Sequence, residues 1–244
     1  AGNPGATGTL ATQITIDTAA PTLAITTPIE DDDVVNADED ADVVVSGTTS
    51  AEDGQTVTVV FTDSASATVS ATATVASGAW SLSGADISNL AEGSITITAD
   101  VSDAAGNQAT QATATVNLDQ TPTTGLNAVA LTAITDDSGA ADFTTNDLDG
   151  LTVSGTVTGT VDGDVVQVSI DGGSNWADAT LSSTTWSFVD STNRANGDAV
   201  TYEVRVLDKV GNVTTLTDSQ IVTFQSAPTT GLNAVALTAI TDDS

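Results

Sequence analysis

The residues that could do chemistry in this chain are almost all carboxylates. It carries 33 Asp and Glu against three bases, Arg194, Arg205 and Lys209, for a net charge of -30. It has no Cys, His or Met. Thiolate chemistry, disulfides, zinc sites and Ser-His catalysis are therefore excluded or nearly so. Oxygen ligands alone suit a hard cation, calcium above all. Magnesium demands tighter octahedral geometry and retains its waters.

The acids are grouped. Glu30, Asp31, Asp32, Asp33, Asp38, Glu39, Asp40 and Asp42 form one cluster. Asp136, Asp137, Asp142, Asp147 and Asp149 form its counterpart one repeat later. Glu52 with Asp53, and Asp162 with Asp164, make a second pair of clusters. Asp103 with Asn107, and Asp208 with Asn212, make a third. Asp17 and Asp119 precede the two units. Asp103 and Asp208 continue the phase of Val101 and Val206, so they should point inward at a strand end. An unpaired carboxylate there is unfavourable, and calcium is the expected partner. Its expected ligands are Asp17, Glu52, Asp53, Asp103, Asn107, Asp119, Asp162, Asp164, Asp208 and Asn212 near the junctions. Asp31, Asp32, Asp33, Asp136, Asp137, Asp142 and Asp147 supply it in the loops after the first strands. The plainer alternative is a set of solvated acidic loops.

The elements that position these groups follow from a repeat. Residues 122–138 read PTTGLNAVALTAITDDS, and 228–244 read the same, an offset of 106 (228 minus 122). A fixed period of domain length marks a tandem array. Arrays of this kind provide length, reach or multivalency. Within each unit, apolar and polar residues alternate with period two: Val57, Val59 and Phe61; Ile95, Ile97 and Ala99; Val166, Val168 and Ile170; Tyr202, Val204 and Val206. That is the pattern of strands with one buried face. Short strands separated by turn signals predict an all-β fold, one β-sandwich per repeat. Trp80 in GAWSL aligns with Trp186 in TTWSF, and both are expected in the core. The expected boundaries are 1–17, the last loop and strand of a preceding repeat; 18–120, one sandwich; 121–227, a second; and 228–244, the first strand of a following repeat.

Asp-x-x-x-Pro at the unit start, DxxGN before the last strand, SIDGGSNW in mid-unit and TDDSGAADFTTNDLDGLTVSG after the first strand together resemble the bacterial immunoglobulin-like extender repeats of giant RTX-type adhesins, the biofilm and ice-binding adhesins. The resemblance implies tandem Ig-like Greek-key β-sandwiches arranged end to end, each of seven strands, with calcium at domain junctions, type I secretion and an extracellular place on the bacterial cell surface. It implies neighbouring repeats of the same chain as partners, with a monomer in isolation.

Other functions fit less well. An acidic surface repels nucleic acid and anionic membrane, and no apolar run approaches membrane-spanning length. No basic leader and apolar run opens the sequence, as expected for a window within an array. The carboxylates sit in loops without a pocket that would raise one of them, so no enzyme is expected. Ser169–Trp176 resembles the Asp-box hairpin of sialidases, but Asp-Gly-Gly is also a common turn. The alternatives are a glycan- or protein-binding Ig-like module, which would need an exposed aromatic platform, and a surface-layer lattice protein.

Overall fold

The computed structural model describes residues 16–122, 125–137 and 142–226. The repeat copy at 228–244, and residues 1–15 of the expected preceding repeat, lie outside the described residues. The chain divides into two compact units, one ending at Gln120 and the next beginning at Thr121. Every regular element described is a strand.

In the first unit the strands are β1 (Leu23–Ile25), β2 (Val34–Val35), β3 (Val43–Thr49), β4 (Thr56–Thr62), β5 (Thr68–Thr74), β6 (Ala79–Ala85), β7 (Gly93–Asp100) and β8 (Ala112–Leu118). One sheet runs β1-β3-β6 and the other β2-β8-β7-β4-β5. Val and Thr dominate because branched side chains suit a pleated surface. The inward set, with Val45, Val57, Val59, Phe61, Ile95, Ile97 and Val116 fully or almost fully buried, forms one core between the sheets. The alternation read from the sequence is thus the alternation of burial.

The resemblance implied seven strands, and the structure differs at the first of them. It is broken in two. β1 pairs antiparallel with β3, whereas β2 crosses over and pairs parallel with β8. The break is the acidic stretch itself. Glu30, Asp31 and Asp33 hold positive φ angles of 47, 65 and 61°. Asp residues tolerate this left-handed region better than most. Asp33 Oδ1 accepts the Ile29 N–H at 2.8 Å, and Asp32 Oδ1 accepts the Val34 N–H at 2.9 Å.

The second unit repeats the plan with β9 (Ala128–Ile134), β10 (Thr144–Thr145), β11 (Leu151–Thr158), β12 (Val165–Ser169), β13 (Ala177–Asp178), β14 (Thr180–Ser182), β15 (Thr185–Asp190), β16 (Ala199–Leu207) and β17 (Val213–Phe224). Its sheets are β14-β15-β11-β9 and β10-β17-β16-β12-β13. Here the segment after β12 also changes sheets: Ala177–Asp178 pairs with β12, and Thr180–Ser182 pairs with β15.

Each core is centred on a tryptophan lying against a glycine. Trp80 and Trp186 are buried, and Gly47 and Gly155 sit opposite them in register. A Cβ on Gly47 would lie 2.0 Å from Ala24 O and 2.5 Å from the Trp80 ring. On Gly155 it would lie 1.8 Å from Ala130 O and 2.6 Å from the Trp186 ring. Both indole Nε1 atoms are buried without a hydrogen-bond partner among the described residues. Leaving such a donor unpaired costs about 1–3 kcal/mol. Burying about 150–250 Å2 of ring contributes roughly 4–6 kcal/mol, so the ring's burial wins. Gly47→Ala and Gly155→Ala should each destabilise their own unit by about 3 kcal/mol, the upper end for overpacking, because backbone as well as ring must move. Chemical denaturation followed by tryptophan fluorescence measures this.

Candidate functional site

The antiparallel order fixes which loops share an end of each sandwich. In the first unit, the loops 50–55 and 101–111 lie at the end where the chain enters, since Leu23 pairs with Thr49 and Thr58 with Asp100. The loops 26–42, 62–67 and 86–92 lie at the opposite end, with Leu118 beside Gly93.

At the entry end of the first unit, hydrogen bonds hold the loops that carry the sequence-expected ligands. Asp103 is buried, as its phase predicts. Its Oδ1 accepts the N–H groups of Ala105 and Asn107 at 3.0 and 2.8 Å, and its Oδ2 accepts Asn107 Nδ2 at 2.9 Å. Asn107 Nδ2 also donates to Asp17 O at 3.3 Å. Glu52 Oε2 accepts the Ala104 N–H at 2.9 Å, which joins the two loops. Asp53 Oδ1 accepts the Ser77 N–H at 2.7 Å.

The buried carboxylate thus has its partners within the loop. The Asn107 amide, with the loop N–H groups, outweighs burial and holds the Asp103 carboxyl below the usual carboxylate range. The second unit repeats this closure. Asp208 Oδ1 accepts the N–H groups of Val210 and Asn212 at 3.0 and 2.9 Å, and Oδ2 accepts Asn212 Nδ2 at 3.1 Å. In the neighbouring loop Asp164 Oδ2 accepts the Val161 N–H at 2.8 Å, and Asp162 is exposed. The unfavourable inward charge that pointed to a metal has a second account: donors fixed in a tight turn.

Sequence reasoning missed Asp63, although it continues the inward phase of Val57, Val59 and Phe61. Its Oδ1 accepts the Ala65 and Ala67 N–H groups at 2.9 and 2.8 Å. Its Oδ2 accepts the Ala91 N–H at 2.8 Å, tying two loops of the exit end together. The Ala91 bond leads in holding this carboxyl low. Asp63→Ala should lower the melting temperature of the first unit clearly more than Asp31→Ala, whose side chain is exposed; differential scanning calorimetry of the two variants decides it. Gln120 was also missed. Its N–H donates to Glu92 Oε1 at 2.8 Å, and its Nε2 donates to Asp40 Oδ2 at 2.6 Å and to Ser88 O at 2.9 Å. The last residue of the unit is therefore anchored to its exit end. Asp119, beside it, is half-buried and donates its N–H to Val35 O at 2.9 Å.

A third omission holds the second unit. Asp190 is buried and receives three donors. Thr192 N–H reaches Oδ1 at 2.9 Å, and Tyr202 Oη and Arg194 Nη2 reach Oδ2 at 2.7 and 2.5 Å. Burial alone would raise the Asp190 carboxyl; Thr192, Arg194 and Tyr202 together pull it below its ordinary value. Burial first, then the hydrogen bond to Asp190 and its charge, push the Tyr202 hydroxyl up.

For a metal the residues give a divided answer. Among the described residues no three Asp or Glu side chains stand close enough together to hold an ion. One group does fit a cation. Asp137 Oδ1 is buried with no hydrogen-bond partner among the described residues. It lies where Asp137 bridges to Thr145, whose Oγ1 donates to Asp136 O at 3.1 Å and accepts the Asp147 N–H at 3.0 Å. Asp142 Oδ1 closes the same loop onto the Thr144 N–H at 3.1 Å. The rest of that loop, 138–141, lies outside the described residues.

Two facing sheets, antiparallel except where β2 and β10 cross over, with a buried glycine of β3 or β11 under tryptophan, define an immunoglobulin-like sandwich. Residues 29–120 match the family model described as bacterial Ig-like domain. That match covers the first unit. Among solved structures, it is similar to a tetra-tandem repeat from the extending region of a large adhesion protein: 27% identity over 84% of this chain and 50% of the other, TM-score 0.33. It is similar to a Ca2+-stabilized adhesin that helps an Antarctic bacterium reach out and bind ice: 28% identity, 86% and 50% coverage, TM-score 0.46. It is also similar to a bacterial immunoglobulin-like domain from the M. primoryensis ice-binding adhesin: 32% identity over 40% of this chain and 96% of that domain, TM-score 0.28. The chain spans half the length of the first two. No curated protein matches it.

Proposed function

We propose that this chain is a run of spacer units from a secreted bacterial surface adhesin, and that calcium stiffens it. The observation that carries the reading is the verbatim return of residues 122–138 at 228–244, one domain length on. Sandwiches of one plan in series supply distance, which no single unit needs a reactive site to provide. The role is mechanical: the array holds a distal binding region away from the cell for adhesion or biofilm formation. Each unit's neighbours in the same chain are its partners.

Calcium enters this reading through the loop of Asp136, Asp137, Asp142 and Asp147, where the orphan Asp137 oxygen supports it. It enters also through the acidic groups that precede and open each unit, Asp17, Glu52 and Asp53, then Asp119, Asp162 and Asp164. Calcium would neutralise carboxylates that otherwise repel each other. Affinities of extracellular modules, about 10⁻⁴–10⁻³ M, would leave the sites empty in the cytosol and filled outside, in keeping with type I secretion of an unfolded chain.

The test of the spacer role is deletion. Removing one 106-residue unit from the array should shorten the reach of the parent adhesin on the cell, seen by electron microscopy of labelled tips. It should leave the affinity of the tip for its target unchanged. A lost affinity would mean that the unit itself binds the target.

A further inference from the structure

The outward face of the β10-β17-β16-β12-β13 sheet differs in kind from the same face of the first unit. In the first unit, the paired outward positions of the last two strands are Thr96 with Thr115 and Thr98 with Thr113. The hairpin 62–67 beside them holds no aromatic residue. In the second unit the equivalent ladder pairs Glu203 with Ser219 and Arg205 with Thr217. The hairpin 170–176 brings Trp176 over it.

That hairpin is built as a rigid support. Asp171 Oδ1 accepts the Asn175 N–H at 2.9 Å and Oδ2 accepts Asn175 Nδ2 at 2.6 Å. Ser169 Oγ accepts the Gly173 N–H at 2.9 Å, and Trp176 Nε1 donates to Gly173 O at 2.9 Å. Gly172 and Gly173 take φ angles of 75 and 80°, which such a turn requires. The Arg205 guanidinium lies 4.2 Å from the Trp176 ring centroid and donates from Nε and Nη2 to Gln167 Oε1 at 3.0 and 2.8 Å. A cation held against an indole by a second bonded partner fixes the ring in place.

Beside this fixed ring is a cavity of about 340 Å3 lined by Trp176, Glu203, Thr217, Asp218 and Ser219. Asp218 is already engaged, with Oδ2 accepting the Leu131 N–H at 2.8 Å. The Glu203 carboxylate and the Thr217 and Ser219 hydroxyls make no hydrogen bond within the described residues. We infer that this cavity binds a neutral saccharide, one sugar ring against Trp176 with its hydroxyls on Glu203, Thr217 and Ser219. The volume falls in the lower part of the range for small-ligand sites, about 300–1,000 Å3, enough for one ring. An indole offers an apolar flank to the C–H face of a sugar. A free carboxylate accepts from two adjacent hydroxyls with charge-assisted bonds. The net charge of -30 selects against uronic acids, sialic acids and phosphates.

The inference goes beyond the spacer reading and is tested without calcium. The full chain in chelator, labelled with 15N, is titrated with methyl glucoside, methyl mannoside or glucuronate to tens of millimolar. Of the three indole N–H signals, those of the buried Trp80 and Trp186 are internal references for that of Trp176. The expected result is a saturable shift of the Trp176 indole and the Glu203, Thr217 and Ser219 amides with at least one neutral glycoside, stronger than with glucuronate. Glu203→Gln should weaken it roughly tenfold with the fold intact, the size of one charge-assisted bond. Trp176→Ala should abolish it. The inference is overturned if no neutral glycoside moves these signals, if Glu203→Gln leaves the shifts unchanged, or if the first unit's threonine face shifts equally.

Discussion

Arg194→Ala should lower the stability of the second unit by about 3–5 kcal/mol while leaving the first unit's transition where it was. Asp190 is left with two of its three donors in a buried setting, and a buried carboxylate that loses its cation is far less favourable than an exposed one. A domain of this size has a total stability of roughly 5–15 kcal/mol, so the second unit would approach or cross its unfolding threshold. The chain holds only three bases, and this one is committed to Asp190 and lies 5.8 Å from the Phe224 ring centroid. Tyr202→Phe, which removes one hydroxyl donor, should cost about 1–2 kcal/mol. Urea unfolding of each variant, and of the Arg194→Ala and Tyr202→Phe double variant, gives the coupling directly. A loss below about 1 kcal/mol for Arg194→Ala, the value of an exposed pair, would show that the pair lies in water.

The same groups set the response to acid. The folded-state carboxyls of Asp63, Asp86, Asp103, Asp171 and Asp190 all lie below their ordinary values. A carboxyl depressed in the folded state contributes its full stability above its unfolded value, about 3.9. That contribution is lost as pH falls through the folded value. Stability should therefore drop below roughly pH 4 and, with no His in the chain, show no histidine step between about pH 5 and 8. Tyr202 acts on the other side: its raised value favours the folded state at neutral pH and is lost only in strong alkali. Melting temperature against pH measures both limbs.

The fold was legible because period-two alternation is a direct image of a two-faced sheet. Val57, Val59 and Phe61 are buried where the pattern put them, and so are Trp80 and Trp186. The break in the first strand was not legible as a sheet change. Acids at 30–33 read as ligands or as turn-formers, and the positive φ angles and the crossing of β2 to β8 have no signature in the alternation. Asp103 and Asp208 show the same limit. Phase told correctly that they face inward, but a one-dimensional pattern does not count the N–H groups a tight loop aims at one carboxylate. Asp63 was legible by the phase rule and was passed over because no acid cluster surrounds it. The Asp190–Arg194–Tyr202 group was not legible, since its members meet only when β15 and β16 are placed in opposite sheets.

Calcium should raise the melting temperature of the chain. An ion that binds the folded and not the unfolded state stabilises by about 2.7 kcal/mol per site at a hundredfold excess over its Kd. Asp137 offers a buried oxygen with no hydrogen-bond partner among the described residues, so Asp137→Asn should remove the part of the effect that belongs to its loop. The loops closed by Asp103 and Asp208 already have their donors, so their order should survive chelation. The direct measurement is calorimetric titration of the metal-free chain with Ca2+, with melts in chelator and in millimolar calcium beside it. The account predicts saturable binding near 10⁻⁴–10⁻³ M, a higher melting temperature in calcium, and a diminished response in Asp137→Asn. A flat titration with coincident melts would contradict it.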